Sequence, residues 1–252
     1  MTWLDKVTNE MLANGPERTF APSLLFDFDH VREAIAMTEE AIIHKQEKTQ
    51  AERREVAMKA AQDPFHSYAK DPVSAPMAVA LWDSALTFPV VLRRAMLIAI
   101  CSHVEHVLKE WCGLLHDTRK LARTVAAFPK ESDRESTLHR SMRYLRDEAG
   151  LALGKFEEWV EWPAIDAYRL ARNCLAHNGG VVEREADVPK IAALPHVGVE
   201  MDGLLAIEAT IWLRAGACEA AADTAKGFFE RLVELCAQDH RAKDSVPAPA
   251  SV

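Results

Sequence analysis

An all-α fold is predicted by three features of this 252-residue chain. Gly and Pro are scarce, 10 and 12 residues, about 9% of the chain against a usual ~12%. Long stretches contain neither, and apolar residues recur through them at helical spacing, as Val31, Ala34, Ile35, Thr38, Ala41 and Ile42 do. With 49% hydrophobic and 27% charged residues, the chain has the balance of an ordinary globular protein with a single core. Disordered, collagen-like and all-β readings are disfavoured together.

Residues 1–27 mix Pro16 and Pro22 with isolated aromatics and read as an extension. From Phe28 to Gln62 the chain has no Gly or Pro and predicts one long amphipathic helix. Asp63-Pro64 and the run Asp71 to Pro76 enforce non-helical positions and set a boundary near residue 75. Met77 to Thr87 predicts a short helix, and Pro89 suits the first turn of the next, where its missing donor costs nothing. That helix runs to about Leu115, with Val91, Ala95, Ile98, Ala99, Val104, Val107, Leu108 and Trp111 as its core-facing stripe. Trp162-Pro163 opens a further helix that stops at Asn178-Gly179-Gly180. The segment 197–207 alternates around Asp202-Gly203 and predicts a short hairpin-like insert. A last helix is expected from Glu208 to Ala237. The organisation expected is a helical extension over 1–75, a helical domain over 76–238 and a polar tail over 239–252.

The net charge of −8 excludes a surface that binds polyanions everywhere, so any nucleic-acid contact must be local. One such locality is 119–146, where eight Lys/Arg face three Asp/Glu and Arg140, Arg143 and Arg146 are near-aligned on a helix. A solvated face and an RNA ledge both fit this run. The longest apolar runs, such as Ala95 to Cys101, fall short of the ~20 residues of a membrane span, and Asp5 and Glu10 interrupt any signal-peptide core. A cytoplasmic protein with no membrane partner is therefore expected. Cys101, Cys112, Cys174, Cys218 and Cys236 contain no CxxC pair and predict buried reduced thiols. Phosphate-binding, dinucleotide-binding and serine-hydrolase motifs are absent. His103, Glu105 and His106 lack the second ligand set of a di-iron bundle, while Glu40, His44 and Glu47 sit in a highly charged stretch. No metal or cofactor is expected.

The chemistry concentrates on WPAIDAYRLARNCLAHNGG. At about 100° per residue, Asp166, Arg169, Asn173 and His177 share one narrow face. Arg172 precedes His177 by five residues, about 140° around the helix, so only a long side chain can bring the two together. His177 lies in the last turn, where unsatisfied carbonyls favour an imidazolium. Arg172 offers a donor fork suited to phosphate. Such a pair suits phosphodiester cleavage without metal, although a polar solvent face with a helix cap has the same pattern.

The run Arg172-Asn173-Cys174-Leu175-Ala176-His177 resembles the R-x4-H signature of HEPN domains, including the polar residue after the Arg. Phe88 to Cys112, with Glu105, is similar to the long helix of that family. SMRYLRDEAGL and EWPAI resemble the segment leading into the signature helix, and the DG turn and final helix also fit. The resemblance covers about residues 77–237. It implies an up-and-down four-helix bundle that dimerises so that two R-x4-H helices face one cleft. It also implies a metal-independent ribonuclease of toxin-antitoxin or antiviral systems, with an antitoxin or defence partner. Carried onto this chain, His177 would move the proton, Arg172 would stabilise the phosphate and Asn173 would orient one of them. Glu105 and Arg169 are supporting positions, with Glu105 placed to pair with Arg172 or Arg169. The same bundle without catalysis, serving as a dimerisation or protein-binding scaffold, is the alternative.

Overall fold

A computed structural model describes residues 16–62, 74–202 and 208–244. The chain is mostly helical, as predicted, with a small sheet. Helix α1 spans Pro16–Gln62 and α2 spans Ser74–Arg119; α3 is Thr137–Asp147 and α4 is Trp162–His177. After strand β1 (Val181–Val182) come the short α5 (Val188–Ala192), β2 (Val197–Asp202), β3 (Glu208–Leu213) and α6 (Ala217–Asp244). Residues 1–15, the Asp63-Pro64 turn and residues to 73, Gly203 of the Asp202-Gly203 turn, and 245–252 lie outside the described residues.

Helix α2 is the axis. Glu39 meets Arg93, and Phe28 meets His103, so α1 runs antiparallel to it. Asp29 pairs with Lys226 and Arg32 with Asp223, which sets α6 antiparallel to α1 and hence parallel to α2. Cys101 Sγ donates to the Tyr168 carbonyl and Arg94 to that of Gly179, so α4 runs antiparallel to α2. Helices α1, α2, α4 and α6 therefore alternate in direction. The N-terminal helix, expected as an extension to a separate domain, supplies one of these four: Phe28 joins one apolar cluster and Ile35 the other. Helix α3 follows α2 in the same direction, tied to it by Cys112 at the Ser141 carbonyl and Arg119 at the Ala149 carbonyl. Ser136 caps α3 by accepting from the His139 N–H at 3.1 Å.

Several boundaries differ from the sequence expectation. Pro89 does not open a helix; it lies inside α2, which continues through it from Ser74. An internal Pro removes one ladder bond and costs about 3 kcal/mol. Burial of Leu97, Ile100, Val104, Leu108, Trp111 and Leu115 on the same helix, at roughly 1.5–3 kcal/mol per large side chain, outweighs that cost. The helix begins at Pro16 rather than Phe28 in α1, and α6 reaches Asp244, inside the segment expected as a tail.

Glu208 to Leu213, assigned to the last helix from its sequence, is strand β3 at the centre of a three-stranded antiparallel sheet ordered β1-β3-β2. Ala209, Ile211 and Leu213 are buried on one face of it, so the two-residue period of a half-buried strand prevails. Within Thr87–Arg119 an 18-residue window has a mean hydropathy of 1.4, so by length and composition alone this helix could cross a membrane. In this fold it lies among α1, α3, α4 and α6, and its Arg93 is paired with Glu39 at 2.7 Å.

Candidate functional site

Pro163 in the first turn of α4 needs no hydrogen-bond acceptor there, which lets the helix begin immediately after Glu161. At the other end, the N–H groups of Asn178 and Gly180 both reach the Cys174 carbonyl, at 3.0 and 2.9 Å. Gly179 and Gly180 adopt φ of 63° and 99°, angles that residues with a Cβ rarely adopt. The helix thus stops one residue after His177 and turns directly into β1.

Ile165, Tyr168, Ala171 and Leu175 anchor α4 in the core. Arg172 lies at the edge of that buried face, toward α2. Its guanidinium donates through Nη1 to Asn173 Oδ1 at 2.9 Å, and its buried Nε has no hydrogen-bond partner. Arg172 favours the ionised form of the neighbouring Cys101 thiol and Glu105 opposes it; burial dominates both and pushes that thiol up to about 12. Cys101 is accordingly a packed neutral thiol rather than a nucleophile.

The polar face divides. Arg169 donates from Nε and Nη2 to Asp166 Oδ1 at 2.9 and 2.7 Å, so its charge is already compensated. Glu105 lines a small cavity with Arg169, Cys101, Ile165 and Tyr168. Among the described residues it forms no ion pair with Arg169 or Arg172, unlike the pairing allowed from sequence. His177 is exposed at the end of the helix and, among the described residues, makes no hydrogen bond or ion pair. Arg172 and Asn173 are therefore joined by a hydrogen bond, and among the described residues the His177 side chain bonds to neither.

Arg94 escaped the sequence reading. It reaches from α2 to the end of α4 and donates to the Gly179 carbonyl at 3.0 Å. The available signal was an Arg93-Arg94 pair inside an otherwise apolar helix. No family model, curated protein or solved structure matches the chain.

Three of the eight cations of the run 119–146 are paired with carboxylates within the fold. Arg143 donates to Glu135 at 2.8 Å and lies over the Phe128 ring at 5.4 Å. Arg146 is bound to Asp147 at 2.7 Å and lies over Phe156 at 5.5 Å, and Arg123 is paired with Glu148 at 2.7 Å. The half-buried Arg140 encloses an Nε without a partner. Lys120, Lys130 and Arg134 are the exposed cations of the run for which no ion pair forms among the described residues. Arg143 and Arg146 are thus poorly placed for the phosphate contacts expected of them. Nearby, ligand atoms of Glu131, Glu135 and His139 lie within 4.8 Å of one another. Burial opposes the charge on Glu135, but hydrogen bonds from Arg143, the Glu131 N–H and His139 outweigh it and hold the carboxyl below its usual range. The Arg143 guanidinium already occupies the position a cation would take.

Proposed function

We propose that this chain is a HEPN-type endoribonuclease that cleaves RNA without a metal, in a homodimer whose two α4 helices line one cleft. The observation that carries the reading is the state of Arg172. It is a half-buried guanidinium whose one hydrogen bond among the described residues goes to a neutral amide, on the helix that ends in an exposed histidine. Other arginines of the chain, such as Arg169 and Arg143, are paired with carboxylates; among the described residues Arg172 is not. An arginine left uncompensated favours an anion.

In the proposed reaction the RNA 2′-oxygen attacks the adjacent phosphorus and loses its proton. The phosphorus–O5′ bond breaks, and the leaving oxygen gains a proton. His177, from one or both protomers, serves these proton transfers. Arg172 stabilises the charge that accumulates on the phosphoryl oxygens, and Asn173 holds the Arg172 fork. The products are a 2′,3′-cyclic phosphate and a 5′-hydroxyl. The lack of a hydrogen bond between the His177 and Arg172 side chains among the described residues is compatible with a site completed by a second copy. Three of the alternating helices, α2, α4 and α6, fall within the span of the HEPN resemblance, while α1 lies outside it; an antitoxin or another defence component is the proposed partner. The test uses RNA, 2′-O-methyl RNA and DNA of one sequence in EDTA. Cleavage of the first alone is expected; cleavage of DNA or of 2′-O-methyl RNA contradicts the mechanism.

The scaffold reading draws on one observation, the exposure of Met37 and Ile43 on α1. It predicts that all three strands stay intact.

A further inference from the structure

Arg93 and Arg94 are consecutive on α2, about 100° apart around the helix, and so address different neighbours. Arg93 is anchored on the α1 side. It donates to both oxygens of Glu39, at 2.8 and 2.7 Å, and its backbone carbonyl accepts from Cys218 Sγ at 3.5 Å. Helices α1 and α6 therefore immobilise the α2 backbone at this point. Arg94 projects from that fixed position toward the end of α4. Its Nη1 binds the Gly179 carbonyl at 3.0 Å, and a Cβ on Gly180 would stand 2.9 Å from its Nη2. The guanidinium thus fits against a turn whose positive φ angles favour glycine, two residues beyond His177. Its charge also lies at the helix end where unpaired carbonyls accumulate negative charge.

We propose that Arg94 is a positioning residue: it clamps the Asn178-Gly179-Gly180 turn to α2 and thereby sets the place of His177 relative to Arg172. The inference rests on the ribonuclease reading for its catalytic consequence, but not for the clamp itself. Arg172 is held by its neighbour on the same helix and by burial, whereas His177 has no side-chain bond of its own among the described residues. Its position depends on the backbone of the last turn, and among the described residues Arg94 is the side chain whose hydrogen bond fastens the following turn to another helix.

Amide hydrogen exchange and RNA cleavage are compared for the wild type, Arg94→Gln, Arg94→Lys and Gly180→Ala. In Arg94→Gln, exchange at the Asn178 and Gly180 amides is expected to rise at least about tenfold while the middle of α4 is unchanged. The kcat falls about tenfold or more, with KM within about twofold. Arg94→Lys, which can still donate to the Gly179 carbonyl, restores most of both effects, and Gly180→Ala, which strains the turn at φ 99° and crowds the guanidinium, also raises exchange at these amides. Unchanged exchange in Arg94→Gln overturns the clamp. Raised exchange with an unchanged kcat in an active enzyme overturns the positioning role. A wild type inert on RNA whose variant still loses protection at those two amides upholds the clamp, and overturns the ribonuclease reading and the catalytic consequence with it.

Discussion

Arg172→Ala is expected to lower the rate of RNA cleavage by about 10²–10³-fold, the loss typical of removing one preorganised donor from a developing oxyanion. Arg169→Ala, three residues away on the same helix, should cost less than about threefold by the same reasoning, because that guanidinium is spent on Asp166 at 2.7 Å. The contrast is the informative part. Both side chains carry one positive charge on the same helix, so a general loss of electrostatic attraction for RNA would weaken both variants alike. Only a specific contact with the reacting phosphate separates them. Comparison of single-turnover rates with saturating enzyme isolates the chemical step from binding.

The largest effect on stability is expected at the Glu39–Arg93 pair. Its side chains are 10% and 12% exposed, and Arg93 has its pKa raised chiefly by the hydrogen bond to Glu39. Removing one partner leaves a desolvated charge without compensation, which costs about 3–5 kcal/mol. For a chain of this size that lowers the melting temperature by roughly 10 °C or more. Glu39→Ala and Arg93→Ala should each show this loss. The double replacement Glu39→Leu with Arg93→Met should recover most of it, since neither charge then remains. Glu158→Ala serves as the control: its partner Lys155 and Glu158 itself are 78% and 71% exposed, and such surface pairs contribute about 0–1 kcal/mol. Equal destabilisation at both pairs would refute the buried-pair account.

The helix that carries the candidate site was legible because its punctuation is chemically specific. Pro163 opens it and the two glycines after Asn178 close it, and the structure places α4 at Trp162–His177 as that punctuation requires. The long α1 was legible for the opposite reason, an unbroken stretch without Gly or Pro. Pro89 misled because a proline marks a helix start only when no tertiary packing holds the helix across it, and here the buried stripe of α2 does so. Glu208 to Leu213 misled because a six-residue apolar-polar segment satisfies either period until a neighbouring strand supplies the hydrogen bonds.

The polar partners were the least legible part. Glu39 and Glu40 are adjacent in a charged helix, yet only Glu39 faces Arg93, some fifty residues away. Likewise, nothing in the local pattern of Arg143 shows that Glu135, beyond the start of its own helix, neutralises it, or that Arg94 closes the end of α4. Charge periodicity reports which face a side chain occupies. Whether that face meets a carboxylate, a carbonyl or solvent depends on how the helices cross.

The measurement closest to the central claim is RNA cleavage in EDTA by the wild type and by His177→Ala, with melting curves for both and analysis of the product ends. The account predicts 2′,3′-cyclic phosphate and 5′-hydroxyl ends from the wild type and none from a variant that melts as the wild type does. Cleavage that persists in the folded His177→Ala protein, or a wild type that leaves every RNA intact, would contradict it.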